Sequence, residues 1–132
     1  MAQNRQSVLA RAARSSRMAA MTMMPRLKAG IFVRALIRRA ESEGASAFIV
    51  RKGNEEAGAI VLKLSKLDGN CLVLNQARDG KGDLVWARPL GDWGEELRAH
   101  LWFEKQIKFD PDLWIVEVED RLGRAFVDEK IV

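Results

Sequence analysis

Short polar turns separate four apolar runs in the middle of the chain, and this spacing restricts how the runs can pair. The runs cover Ala47–Val50, Ala59–Leu64, Cys71–Asn75 and Leu84–Arg88. The segments between them contain glycine with asparagine or aspartate, which favour tight turns. Parallel strands need crossover connections of about a dozen residues or more, and these segments are too short for that. The sequence therefore predicts four antiparallel strands in a meander, with a tight hairpin turn at Asp68-Gly69.

Two further segments have helical periodicity. In Ala29–Ser42, apolar residues recur every three or four positions and Gly44 provides the stop, which predicts an amphipathic helix. A second helix is predicted from Asp92 to Phe109, because Asp92 with Glu95 forms a capping box and Asp110-Pro111 ends the segment. Its expected core face contains Trp93, Leu97, His100, Leu101 and Ile107.

A fifth strand is predicted at Leu113–Glu119, where apolar residues dominate again. Together these elements predict an α+β fold with two layers, in which an antiparallel sheet of about five strands packs against two helices. The chain of 132 residues has room for one domain. We expect that domain to cover residues 25–132.

The net charge of +4 is concentrated at the N-terminus. From Pro25 onward the chain has 18 Lys/Arg and 18 Asp/Glu, so the surplus consists of Arg5, Arg11, Arg14 and Arg17. A basic patch is the electrostatic signature of nucleic-acid binding. Because positive and negative charges are balanced from Pro25 onward, we do not expect this part of the chain to bind nucleic acid. If it does, Arg34 and Arg38 on the first helix are the candidate binding residues.

Residues 1–24 form a basic segment without acidic residues. Three interpretations compete: an organellar transit peptide, a basic arm that contacts polyanions, and a disordered leader that arises when translation is assigned to start too early. We favour the leader, because chain termini are usually loose unless they dock.

Several segments resemble a bacterial family, the alphaproteobacterial domain of unknown function fourteen-ninety-one. The similar segments are Leu27–Gly30 with the helix that follows, Gly44–Arg51, Glu56–Ala59, Leu67–Gly69, and Asp110–Trp114 with Glu117–Arg121. The resemblance covers about Arg26 to Asp128. It implies a bacterial cytoplasmic protein with a domain that starts near Met24, and it implies no activity and no site residues.

Catalytic chemistry has little support in the sequence. His100 is the only histidine and no nucleophile motif accompanies it, while Cys71 is the only cysteine and is expected to be buried. Glu117 and Glu119 lie two apart on a strand and could hold Mg²⁺, but we favour a solvated strand face, because runs of charge usually lie on the surface. We therefore predict no catalytic residues, no metal site and no cofactor.

Trp102 and Phe109 are predicted to lie outward on the second helix, beside Arg98 and Lys105. Exposed aromatic residues favour a partner surface. The alternative interpretation is that a loop or the segment after Gly123 of the same chain covers them. We expect a small, non-enzymatic binding or protein-interaction module of the cytoplasm, with a homodimer or another protein as its partner and no membrane contact. The alternatives are a nucleic-acid-associated protein that uses the basic tail and first helix, and a metal-dependent enzyme that uses Glu117 and Glu119.

Overall fold

A computed structural model describes residues 27–132, which form two helices and six strands. The basic segment predicted over residues 1–24 lies outside the described residues. The helices are α1 (Ala29–Ser42) and α2 (Glu96–Phe109). The strands are β1 (Ser46–Arg51), β2 (Ile60–Ser65), β3 (Asn70–Arg78), β4 (Leu84–Ala87), β5 (Gly94–Glu95) and β6 (Trp114–Glu119).

The last strand along the chain, β6, lies near the middle of the sheet. The strand order is β1-β6-β2-β3-β4, with β5 paired to one end of β3. Strand β6 runs antiparallel to β1 and parallel to β2, while β2, β3 and β4 form an antiparallel meander. The predicted α+β class is therefore confirmed, and the meander holds for three strands. The prediction that β1 and β2 are neighbours is wrong, because β6 inserts between them.

The composition of β6 explains its central position. Trp114, Ile115, Val116 and Val118 are each at most 2% exposed, so β6 buries apolar side chains on both faces, although Glu117 and Glu119 share a face with Ile115. A strand that is apolar on both faces is stable only where both faces are covered. A strand at the edge of the sheet could not bury these side chains as completely.

The two helices cover opposite faces of the sheet. Helix α1 packs through Val33, Leu36 and Ala40 on one face, together with alternate residues of β2, β3 and β6. Helix α2 packs through Ala99 and Phe103 on the other face. The molecule thus has three layers, which corrects the expected two-layer arrangement. Successive strand residues point to opposite faces, and β2 and β6 carry buried apolar side chains on both faces, so each face needs its own helix.

The loop of residues 52–59 connects β1 to β2 along the chain and contacts both α1 and β6. The first two helical N–H groups, of Ala29 and Gly30, donate to the carbonyl oxygens of Glu56 and Glu55 at 3.2 and 2.9 Å. The indole Nε1 of Trp114 donates to the Asn54 carbonyl oxygen at 2.7 Å. Gly58 lies so close to β6 that an added Cβ would overlap the Asp112 carbonyl group. The loop therefore provides acceptors for the start of α1 and also anchors the start of β6.

Local predictions differ in accuracy. Helix α1 has the predicted bounds, and Gly44 follows it with the expected positive φ of 89°. The β2–β3 hairpin turns at Asp68-Gly69 as predicted, but its loop has four residues and a second positive φ at Leu67. Helix α2 starts at Glu96 and not at Asp92, because Gly94 and Glu95 pair with Cys71 and Asn70 as β5. No helix within residues 27–132 is long and apolar enough to cross a membrane.

We predict that residues 1–23 are dispensable for folding. The residues from Ala29 onward bury a core and provide their own helix-capping contacts. A chain that begins at Met24 should therefore melt within a few degrees of the full chain, measured by circular dichroism. A drop larger than about 5 °C, which corresponds to about 1 kcal/mol for a domain of this size, would contradict the prediction.

Candidate functional site

Helix α2 is attached to the sheet by a narrow apolar strip. Ala99 is 1% exposed and Phe103 is 6% exposed, and both contact a cluster formed by β2, β3 and β6. Trp102 and Ile107 lie at the sides of this strip and are partly buried. The small side chain of Ala99 lets the helix come close to the sheet, and the ring of Phe103 fills the space beside it.

A buried ion cluster supplements this apolar contact. Lys63 of β2 is only 4% exposed, and its Nζ lies 2.6 Å from Glu96 Oε1 of α2. The same Nζ lies 3.4 Å from Glu117 Oε1 of β6 and 3.4 Å from Nε2 of His100. A buried ammonium group requires such partners, since an unpaired buried charge is strongly destabilising. Lys63 therefore ties α2 to two strands of the sheet.

Lys63 is a cation in this setting. Burial lowers the pKa of Lys63, but the hydrogen bond that its ammonium group donates to Glu96 and the charges of Glu117 and Glu96 raise this pKa by more, so the net pKa lies above the ordinary value. A lysine with a raised pKa is protonated at neutral pH and does not act as a base or a nucleophile. The cluster serves to position α2.

Cys71 is equally unsuited to nucleophilic chemistry. Its side chain is 3% exposed, and burial raises the pKa of the Cys71 thiol. The thiolate is the reactive form of cysteine, so a raised pKa makes the group inert. His100 lies on the exposed side of α2, where its ring contacts that of Phe103 with 6.3 Å between the centroids.

Glu117 and Glu119, the pair considered for a metal, have different surroundings. Glu117 is bound by Lys63, so a divalent cation would have to displace the ammonium group. No group of three or more potential metal-binding side chains of His, Cys, Asp and Glu occurs among residues 27–132. The neighbouring Asp120 is also occupied, because its carboxylate accepts hydrogen bonds from Arg124, which lower the pKa of Asp120.

The outer face of α2 carries exposed apolar side chains. Leu97 is 65% exposed, Leu101 is 54% exposed and Phe109 is 85% exposed. The predicted core face of this helix is therefore wrong at Leu97 and Leu101, which point away from the sheet. Trp102, predicted to be outward, is partly buried at the side of the helix, where its ring meets that of Phe103 edge-on.

Cations lie between these apolar side chains. Helical spacing places Arg98, Lys105 and Lys108 on the same arc as Leu97, Leu101 and Phe109, and all three cations are exposed. Of the two acidic residues of the helix, Glu96 faces Lys63, while the exposed Glu104 borders this arc between Leu97 and Lys108, so the cations outnumber the acidic residue there. We call this combination the α2 outer surface, and it consists of Leu97, Arg98, Leu101, Lys105, Lys108 and Phe109, with Trp102 at its margin.

The candidate residues of α1 lie on the opposite side of the molecule. Arg34 donates two hydrogen bonds to the Glu55 carboxylate at 3.1 and 2.8 Å, which raises the pKa of Arg34 and lowers that of Glu55. Arg39 is paired with Asp128 at 2.8 Å, while Arg38 is exposed. The four candidate binding residues predicted from the sequence therefore do not form one site. Arg34 and Arg38 lie on α1, and Trp102 and Phe109 lie on α2.

Comparisons with known proteins identify the family. The family model described as a protein of unknown function (DUF1491) matches residues 27–128. The chain belongs to this family. The search of curated proteins found no match.

Solved structures of family members share the fold. A crystal structure of a DUF1491 family protein from Caulobacter crescentus is 38% identical with a TM-score of 0.75, and the match covers 81% of this chain and 100% of that chain. An NMR structure of a DUF1491 family protein from the same organism gives 38% identity and a TM-score of 0.71, with 80% and 96% covered. The solution structure of Atu0922 from A. tumefaciens is 32% identical with a TM-score of 0.63, and 72% and 86% are covered.

We predict that Lys63→Met lowers the free energy of unfolding by about 3 kcal/mol, because Glu96 and Glu117 lose their buried partner. Lys52→Met is the matched control, since its ion pair with Glu55 is exposed and should contribute less than about 1 kcal/mol. Urea unfolding at pH 7 measures both. Because folding raises the pKa of Lys63, the charged side chain stabilises the folded state. This contribution to the free energy of unfolding is fully present below the ordinary lysine pKa of 10.5 and is lost as the pH rises through the folded-state pKa. Equal losses for the two variants would contradict the role of the cluster.

Proposed function

We propose that the protein is a non-enzymatic interaction module that binds an acidic protein through the α2 outer surface. The observation that carries this proposal is the exposure of Leu97, Leu101 and Phe109 on a helix whose attachment to the sheet does not need them. Burial of a leucine or phenylalanine side chain contributes about 1.5–3 kcal/mol. A partner that covers all three would gain a substantial part of the free energy of a specific complex.

The charges of this surface indicate the kind of partner. Arg98, Lys105 and Lys108 surround the apolar residues, and complementary charge speeds association and selects among partners. An acidic rim around an apolar groove would match this pattern. Trp102 at the margin adds a side chain type that is enriched at binding hot spots.

A second copy of this chain matches that description less well than a separate acidic protein does. Glu117 is held by Lys63 and its side chain is only 14% exposed, so it is not free to pair with the cations of another copy. Release of Glu117 would leave Lys63 with one partner fewer inside the protein. The proposed partner of α2 is therefore a different protein. The bacterial relatives and the single, buried Cys71, which has no disulfide partner in the sequence, support a bacterial cytoplasm as its location.

The α2 surface can be tested by capture from native bacterial lysate on the immobilised full chain. We expect an acidic protein to be retained by the unaltered chain and reduced at least tenfold by Leu101→Glu, which places a like charge against the partner. Leu122→Glu is the matched control, because Leu122 is 75% exposed but does not belong to α2. Calorimetric titration with the purified partner should then show weaker binding at higher salt. The proposal fails if Leu101→Glu and Leu122→Glu retain the same proteins.

Nucleic acid is a less well supported partner, because Arg34 and Arg39 of α1 are already ion-paired. Residues 27–132 have 17 Lys/Arg and 18 Asp/Glu, so their net charge does not attract phosphate groups.

We predict that a chain beginning at Met24 binds duplex DNA and single-stranded RNA with a dissociation constant above about 1 μM at physiological salt, measured by fluorescence anisotropy. Salt-sensitive binding below that value, lost on Arg38→Ala, would favour the nucleic-acid alternative.

A further inference from the structure

The two edges of the sheet differ in how they are covered. At the β4 edge, the C-terminal segment runs alongside the strand, with the Trp86 N–H donating to the Lys130 carbonyl oxygen at 2.8 Å. The Val132 N–H donates to the Trp86 carbonyl oxygen at 2.9 Å. At the other edge, β1 pairs with β6, and it has no strand partner on its outer side among residues 27–132.

Strand β1 lacks most of the features that protect exposed edges. Natural edge strands usually carry lysine, proline or inward-pointing charges that block further pairing. Here the strand reads Ser-Ala-Phe-Ile-Val-Arg, and Phe48, Ile49 and Val50 are 43%, 39% and 51% exposed. A register shift between Ile49 and Arg51 disturbs the C-terminal end of the strand, while Ser46–Ile49 pairs regularly with β6.

We propose that β1 pairs antiparallel with β1 of a second copy of this chain, so that the two sheets join into one. A twofold axis at Phe48 would place Phe48 opposite Phe48 of the partner subunit, and Ala47 opposite Ile49 of the partner subunit. Such a pairing buries the exposed apolar side chains of both copies and supplies main-chain hydrogen bonds to both edges. Because the contact is symmetric, it closes as a dimer and does not propagate.

The charges at the two ends of β1 favour this self-pairing. Arg51 lies at the C-terminal end, and Glu119 lies beside Ser46 at the N-terminal end. Neither side chain forms an ion pair with another residue in the part of the chain that the structure describes, 27–132, although Arg51 Nη1 donates to the Lys52 and Leu113 carbonyl oxygens at 3.3 and 3.4 Å. In an antiparallel pair, the C-terminal end of one β1 meets the N-terminal end of the other, which brings Arg51 of one copy towards Glu119 of the partner subunit. A parallel pair would instead set like charges side by side.

This dimer is independent of the α2 outer surface, since β1 and the outer face of α2 share no residue. The main test is the mass of the full chain in solution, measured by light scattering after gel filtration. We expect twice the chain mass of 14.8 kDa at micromolar concentrations. Phe48→Lys should yield the monomer mass, because it places two cations at the twofold axis. Leu101→Lys is the control and should remain dimeric.

Two further measurements keep the test independent of any folding defect. Amide exchange of Ser46–Arg51 in the unaltered chain should slow as protein concentration rises. Phe48→Cys should form a disulfide-linked dimer on mild oxidation, because directly opposed strand residues lie within the Cα separation that a disulfide needs. Leu101→Cys and the unaltered chain, whose Cys71 is buried, should stay unlinked.

The following results would overturn the proposal. A monomeric full chain whose β1 amides are protected at every concentration would show that residues 1–26 cover the edge. A monomeric full chain whose β1 amides exchange rapidly would show that β1 does not pair with a second copy, and that its edge is open to solvent or to another protein. A dimer that is lost in Leu101→Lys and kept in Phe48→Lys would place the contact on α2.

Discussion

The burial of β6 on both faces is the constraint on which the rest of the structure depends. Trp114, Val116 and Val118 point to the α1 face, while Ile115 and Leu113 point to the α2 face. A strand of this kind requires two neighbours in the sheet and a layer on each side. Its position between β1 and β2 separates two strands that are close in sequence, and its apolar residues on both faces call for a helix on each face. The loop of residues 52–59 completes this arrangement, because it holds the start of β6 through Asn54 and the start of α1 through Glu55 and Glu56.

The sequence predicts most accurately where local patterns and tertiary contacts agree. Helix α1 has a clear 3.6-residue period, and Val33, Leu36 and Ala40 are buried as that period requires. The turns at Asp68-Gly69 and Asp79–Asp83 connect neighbouring strands, so the meander of β2, β3 and β4 follows from local signals alone. The position of β6 could not be obtained in this way. Its pairing with β1 and β2 joins distant parts of the chain, and the apolar run at Leu113–Glu119 is compatible with several positions in the sheet.

The candidate site is where sequence reasoning fails most clearly. The pattern of α2 contains more apolar residues than one face can hold, and the sequence predicts that Leu97 and Leu101 lie in the core. The structure instead buries Ala99 and Phe103, because the short side chain of Ala99 allows a closer approach to β3 than leucine would. Lys63 was missed for a related reason. A single lysine within an apolar strand would normally be predicted to face solvent. Its partners Glu96 and Glu117 lie on other elements, so the sequence around Lys63 does not indicate them.

The two faces of the sheet are closed to different degrees, and this asymmetry explains why α2 and not α1 carries a large exposed apolar surface. Helix α1 buries the large majority of its apolar stripe, and its arginines are mostly paired with nearby acidic residues. Helix α2 buries only a narrow strip and is held in addition by the ion cluster at Lys63. An ion cluster fixes the orientation of a helix through directional hydrogen bonds, whereas a purely apolar contact could rotate to cover Leu97 and Leu101. The Lys63 cluster thus keeps the apolar face of α2 outward, where a partner can reach it.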